Sequence, residues 1–584
     1  MIKAENEYKN ERINKHMKKK FLPLVFILIM TAMMLTGCMD LIDQFTATED
    51  MVDFDDIIEL GDNEYAVYLN NELQTFKGSD LGTDTVYLGM DGLASVNGRF
   101  YWDSNEKLLI YTTPTDVIKV SPDAAEYTVN GQAQPVDYVI LKEYGDQAFV
   151  ALQFIQQYTQ MDYTVFNEPN RMAIHTQWGD CQVVTANEDT VVRHRGGIKS
   201  GVLTRVTKGT EMTFLDVIED WTHVATSDGY TGYVQTKYIS DPAASTTTAP
   251  AFEAPVYTSI KKDYKINMTW HQMTNMAGND TLEDFTANTT GINTISPTWF
   301  SFADTEGNLN SLASADYVNL AHSKGMEVWA LFSNEFPGDD GLQYFDGSKI
   351  DEVLSYTSKR EAVIASLMGY VEQYGIDGIN IDFERISEAG ADNYIQFIRE
   401  LGIQCRAKGI VLSVDSYVPL YSKHYNRKEQ AVVADYVVIM GYDEHFAGSD
   451  EAGSVASKEF VAQGIADTLT EVPPEKMINA IPFYTRLWWT EADGSMGTKA
   501  LSMAEGWQYV QDNGAEATWL EDIGQYYAKY EAEGKTYQIW LEDKESVGVK
   551  MQLIKDNGLA GVASWKLGRE SGIEIWETIQ SYLQ

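Results

Sequence analysis

The chain has 584 residues, with 86 Asp plus Glu against 44 Lys plus Arg and a formal net charge of −42. That length exceeds what one hydrophobic core serves, so roughly two to four domains are expected. The acidic balance excludes the basic footprint of a nucleic-acid binder and argues against electrostatic docking on anionic lipid, leaving solubility as its plain meaning.

At the N-terminus, Lys18, Lys19 and Lys20 precede an apolar run over 21–35, followed by Thr36-Gly37-Cys38. A basic n-region, a short h-region and small residues predict a secretory signal. The run is short for a spanning helix and contains Pro23. Leu35-Thr36-Gly37-Cys38 resembles a bacterial lipobox. The resemblance implies a lipoprotein signal peptide over 1–38, cleavage before Cys38 and a diacylglycerol on its sulfur. Two acyl chains suffice for stable attachment, so the mature protein is expected on the extracellular face of the bacterial membrane, lipid-anchored. A plain cleaved signal and an uncleaved anchor are the rival readings. Residues 1–16 are polar and unlike an n-region, which makes Met17 a candidate start. The other cysteines, Cys181 and Cys405, fall in different expected domains, so no disulfide is expected between them.

Residues 55–178 are rich in Tyr, Val and Thr and broken by turn signals such as Asn70-Asn71, Asn97-Gly98 and Asn130-Gly131. Strands are expected at 86–88 and 108–111, and a short helix at 149–158. The recurring phrases ending in Asn70-Asn71 and Asn130-Gly131 resemble the copper amine oxidase N-terminal-like domain of bacterial surface enzymes. No His cluster has ligand spacing, so no copper is expected. The segment reads as a spacer or wall-contact module. Residues 181–241 predict five or six short strands. Val191-Val192-Arg193, the Lys208-Gly209 turn, Trp221 and Gly229-Tyr230-Thr231-Gly232-Tyr233-Val234 resemble a bacterial Src-homology-3-like domain, a small β-barrel. Such domains often bind cell-wall peptides; a structural spacer with core aromatics is the alternative. Residues 242–255 carry Pro242, Pro250 and Pro255 among Ala and Thr and predict an extended, semi-rigid linker.

From 256 to 584, apolar strands alternate with amphipathic helical stretches, the pattern of a parallel α/β fold. Strands are expected at 265–269, 294–297, 328–332, 379–383, 410–414, 436–440, 477–481 and 562–564. Eight in order favour a closed (β/α)8 TIM barrel at the C-terminus, preceded by a mixed mostly-β domain and the small β-barrel domain. No glycine-rich phosphate loop follows the first strand, which disfavours a dinucleotide-binding sheet. The long connection between strands seven and eight predicts a small α+β insertion walling one side of the barrel mouth.

The fourth strand carries the chemistry. Residues 376–384 read Ile-Asp-Gly-Ile-Asn-Ile-Asp-Phe-Glu, alternating strictly, so Asn380, Asp382 and Glu384 share one face about 6.6 Å apart along the strand. Like charges at that spacing push pKa values apart, and a neutral carboxylic acid near an ionised one equips a site to protonate a leaving oxygen. The run 377–384 resembles the Asp-Gly-x-Asp-x-Asp-x-Glu signature of family-18 glycoside hydrolases, departing only at Asn380. Further matches follow at strand ends: Met440-Gly441-Tyr442-Asp443 resembles the family's Met-x-Tyr-Asp, and Pro482-Phe483-Tyr484-Thr485-Arg486 its Pro-Phe-Tyr-x-Arg. Trp565 stands where the family places an aromatic floor under the sugar. Trp270 and Trp299 also follow strands, with core packing and sugar stacking both open. The phrase Trp540-Leu541-Glu542-Asp543 and Asn380 itself point to the spore-cortex and cell-wall N-acetylglucosaminidase branch.

The resemblance implies a retaining, substrate-assisted reaction on an N-acetylated glycan, with no metal or cofactor because the substrate supplies the nucleophile. Glu384 is then the acid and base, and Asp382 orients the acetamido N–H. Tyr442 bonds the acetamido oxygen. Asn380, Met440, Asp443, Tyr484, Arg486 and Trp565 are expected to bind substrate. Asn380 removes one carboxylate from the ladder and is expected to orient Asp382 by donating a hydrogen bond. Peptidoglycan is the expected substrate, chitin or chitooligosaccharide the runner-up. A non-catalytic lectin on the same barrel and a structural surface protein are the non-enzyme readings. Oligomeric state and endo or exo action have no signal in the sequence.

Overall fold

The computed structural model describes residues 46–584 except Asp146; the expected signal segment and Cys38 lie outside the described residues. Among the described residues, no helix is long and apolar enough to cross a membrane. The chain forms two compact units.

The first unit takes the described residues up to Gly98 together with Lys142–Glu253. It contains most of a seven-stranded sheet in which strand Glu64–Leu69 pairs parallel with Arg171–His175 and antiparallel with Glu72–Ser79. The expected helix appears as Leu152–Gln157. A second seven-stranded sheet spans Gly179–Thr185 to Ala243–Thr247 around a core of Val192, Val224 and Val234. Here the expected linker is corrected. Ala243–Thr247 is an edge strand paired antiparallel with Gly179 to Val183, and the Gly179 N–H also donates to the Thr247 hydroxyl at 3.1 Å. Its Ser and Thr residues suit an exposed edge as well as they suit a linker.

The second unit takes Arg99–Leu141 with Ala254–Gln584. The stretch 55–178, expected as one domain, is therefore divided. Residues 101–135 form a five-stranded antiparallel meander that packs on barrel helices. Asp103 is fully buried and accepts from the Thr357 N–H at 2.7 Å and the Thr357 hydroxyl at 2.6 Å, at the first turn of helix Thr357–Tyr374. The Tyr101 hydroxyl donates to Asn393 at 2.7 Å, and Arg360 forms a buried ion pair with Glu400.

The barrel has the eight expected strands, all parallel and closed. They are β1 (Ile266–His271), β2 (Thr294–Phe302), β3 (Glu327–Ser333), β4 (Gly378–Asp382), β5 (Val411–Tyr417), β6 (Tyr436–Met440), β7 (Met477–Pro482) and β8 (Gly561–Trp565). Closure is made by β1 pairing with both β2 and β8. Outward residues such as Ile379, Ile381, Leu412 and Val414 pack under the helices. The lower interior is apolar, filled by Ile266, Met268, Trp329, Leu331, Val438 and Ile478. Between β7 and β8 lies the expected α+β insertion, a five-stranded antiparallel sheet with helix Met503–Asp512.

Candidate active site

Strand β4 passes through the centre of the barrel wall because its outward isoleucines are fully buried and its inward residues are polar. Gly378 is required at its start, since a Cβ there would lie 2.8 Å from the Trp329 ring. One turn of the pleat higher, Asn380 is saturated. Its oxygen accepts from Trp270 Nε1 at 2.9 Å and from the Ser296 hydroxyl at 3.2 Å. Its nitrogen donates to the Ser413 hydroxyl at 3.0 Å and to Asp415 Oδ1 at 2.7 Å. The expectation that Asn380 donates to Asp382 is thus corrected. In the ladder Asn380 stands level with Ser413, so β5 takes both donors while Asp382 sits one layer higher. Asn380 is also completely buried beneath the groove rather than lining it.

Asp382 projects into the mouth above this layer. Its Oδ1 is buried and has no hydrogen-bond partner in the protein. Burial, and then the charges of Glu384, Asp415 and Glu335, push its carboxyl well above the usual carboxylate range. Glu384 follows just past the strand. Its carboxylate accepts from the Tyr417 hydroxyl, and its main chain is bonded at both N–H and C=O by the Asn334 side chain. Burial raises the Glu384 carboxyl; the Tyr417 bond and Arg385 oppose that rise, while Asp443 and Glu335 add to it. A buried glutamic acid whose carboxyl is raised above its ordinary value suits a general acid.

Asp382 and Glu384 line a groove of about 840 Å³ across the C-terminal ends of the strands, where barrel chemistry belongs. Met440, Tyr442, Asp443, Tyr484 and Trp565 line it too. The Tyr484 hydroxyl donates to Asp443, and burial lifts the Asp443 carboxyl against that bond and the Arg486 charge. Arg486 itself is not part of the groove lining. Trp270 and Trp299 border the groove but are each 1% exposed, with their indole N–H groups bonded to Asn380 and Asn279. Those contacts are the core-packing outcome. Trp565 keeps more exposure and meets Trp270 edge-on, with ring centroids 5.8 Å apart.

Among the polar residues of the site that are not expected are the four that act on Asp382 or Glu384: Asn334 and Glu335 past β3, and Asp415 and Tyr417 on β5. Only the β5 pair had a signal. Ser413, Asp415 and Tyr417 alternate with apolar Leu412 and Val414, in phase with the Asn380 face. Among the described residues, no cluster of His, Cys, Asp and Glu is arranged to hold a metal ion.

Comparison with known proteins agrees with this geometry. Residues 340–570 match the family described as Glycosyl hydrolases family 18, and residues 189–240 match the bacterial SH3 domain. Two curated relatives come from Bacillus subtilis. YdhD, named as a sporulation-specific glycosylase, is 27% identical over 265 residues, covering 44% of this chain and 61% of YdhD. YvbX, named as an uncharacterized glycosylase, is 27% identical over 299 residues, covering 50% of this chain and 85% of YvbX. The crystal structure of the Bacillus cereus spore cortex-lytic enzyme SleL is similar in fold. It is 20% identical with a TM-score of 0.50, over 58% of this chain and 78% of that one.

Proposed function

From the premise that this chain carries a family-18 glycoside hydrolase domain beside a bacterial SH3 domain, we propose that it hydrolyses N-acetylglucosamine linkages of cell-wall peptidoglycan by a retaining, substrate-assisted route. The observation that carries the reading is the placement of Asp382 and Glu384 together in one groove at the C-terminal ends of the barrel strands, with the Glu384 carboxyl raised by burial. The Asp382 oxygen that faces the groove would accept an amide N–H of a bound sugar.

The reaction begins when the substrate's 2-acetamido oxygen attacks its own anomeric carbon. Glu384 gives its proton to the departing glycosidic oxygen, and the bond between that oxygen and the anomeric carbon breaks. Asp382 accepts the acetamido N–H and balances the charge of the oxazolinium ion. The Tyr442 hydroxyl donates to the acetamido oxygen, and Trp565 supports the ring. Glu384, now a carboxylate, takes a proton from water, whose oxygen bonds to the anomeric carbon from the face the leaving group vacated while the bond between that carbon and the acetamido oxygen breaks and the acetamido group is restored. Configuration is retained, and general acid catalysis of this kind contributes about 10²- to 10⁴-fold.

Peptidoglycan is preferred over chitin on location. The lipobox-like Leu35-Thr36-Gly37-Cys38 would hold the mature protein by lipid on Cys38 at the outer membrane face, and an SH3 domain accompanies the barrel. The test is incubation of purified protein with peptidoglycan sacculi and with colloidal chitin, with mass spectrometry of the products. Fragments ending in reducing N-acetylglucosamine from sacculi are expected; release from chitin alone overturns the preference.

A further inference from the structure

Where Asn380 takes a carboxylate out of β4, the neighbouring strand puts one back. The ladder pairs Asn380 with Ser413 and Ile381 with Val414, and Asp382 and Asp415 are the next residues of the two strands. Adjacent strands lie about 4.8 Å apart, and both side chains point into the barrel. Asp415 is 1% exposed. One of its oxygens, Oδ1, accepts from Asn380, which is itself locked by Trp270 and Ser296. Beside it, Asp382 Oδ1 is buried and lacks a donor.

Two buried carboxylates on neighbouring strands disfavour each other's charge, and Asp415 acts in this way on Asp382. The ionisable groups that act on Asp382 or Asp415 are Glu335 past β3, Glu384 past β4, Tyr442 past β6, Tyr417 on β5, and Tyr394 and Tyr425 from the packed helical side. Each is an acid. The nearby cations act elsewhere, Arg385 on Glu384 and Arg486 on Asp443. A shared proton is the remaining way to neutralise the pair.

We propose that Asp415 is a positioning residue for this reaction: it stays protonated, accepts from Asn380 through Oδ1, and donates its O–H to Asp382 Oδ1. Asp382 thereby remains the single anion of the pair, and its second oxygen is left to face the substrate amide. Burial lifts the Asp415 carboxyl in the same direction, against the Asn380 bond. The inference rests on the hydrolase reading above and adds a donor to it.

A protonated aspartate and an asparagine present the same donor and acceptor, which makes the test sharp. Asp415→Ala is expected to lower kcat about 10- to 100-fold, the size of one hydrogen bond to a charged group. Asp415→Asn is expected to recover most of that loss, because its amide keeps both the donor and the acceptor. Infrared spectra of the wild-type protein near neutral pH are expected to contain a protonated-carboxyl C=O band that Asp415→Asn removes. This last measurement needs no substrate, so it judges Asp415 even if the hydrolase reading fails. Asp415→Asn as impaired as Asp415→Ala, or an unchanged carboxyl band, overturns the proposal. An active Glu384→Gln enzyme instead overturns the hydrolase reading.

Discussion

Asn334 grips the main chain of Glu384 at two points, donating to its carbonyl at 2.7 Å and accepting from its N–H at 2.8 Å. Glu384 lies just past the end of β4, where the ladder bonds stop. The amide of Asn334 takes over their role and fixes where the acid stands. Asn334→Ala removes both bonds and is expected to lower kcat by about tenfold or more, with KM changed far less. Steady-state kinetics on a soluble N-acetylglucosamine oligomer measure the split, and an unchanged kcat contradicts this role.

Tyr417 tunes the same acid. Burial favours the protonated form of Glu384, and the Tyr417 hydroxyl bond opposes it by favouring the carboxylate. Tyr417→Phe deletes that opposition, so the Glu384 pKa rises further. The high-pH limb of the kcat/KM profile is expected to move to higher pH. A limb that stays in place or moves down contradicts the assignment.

The buried acids set a pH dependence of stability. Asp415, Asp443 and Glu335 all have native carboxyls raised by burial. The native state therefore holds protons that the unfolded chain has already lost, and stability falls as pH rises. Their contribution is complete below the ordinary carboxylate value of about 4 and is lost as pH passes through the raised native values. Asp443→Asn removes one such group, so the difference in Tm, variant minus wild type, is expected to grow from about pH 4.5 to about pH 8. A difference that is flat or shrinks with pH contradicts it.

The meander is joined to the barrel through Asp103. Besides Thr357, that carboxylate accepts the N–H groups of Asn105 at 3.0 Å and Glu106 at 2.9 Å. Asp103→Ala leaves the buried Thr357 donors at the helix start without an acceptor, together with the N–H groups of Asn105 and Glu106. A loss of about 2–4 kcal/mol in barrel stability is expected from chemical denaturation. A loss below about 0.5 kcal/mol, the scale of an exposed surface change, contradicts the joint.

The eight strands are legible in the sequence because they are short, largely apolar runs spaced along the chain, two of them after a Lys-Gly helix stop, at Lys324-Gly325 before β3 and Lys408-Gly409 before β5. Asp382 and Glu384 are legible because period-two alternation sets them on one face. Asp415 is missed because the fifth strand is expected to end at 414, whereas it runs to Tyr417. Polar Ser416 interrupts the apolar alternation there and hides the continuation. Asn334 and Glu335 follow β3 beyond its last residue, where no period speaks. The meander's attachment has no local signal at all, since Asp103 and Thr357 are 254 residues apart in the chain. The strand Ala243–Thr247 is concealed by a composition that an edge strand and a linker share.

Whether Glu384 is the proton donor that cleaves an amino-sugar polymer is tested most directly by one comparison. Wild-type protein and Glu384→Gln are incubated with sacculi, and newly formed reducing ends are counted by mass spectrometry. Wild type is expected to release fragments ending in N-acetylglucosamine, and Glu384→Gln to release them at least about 10²-fold more slowly while still binding the glycan. Equal release by the two proteins, or none by wild type, contradicts the assignment.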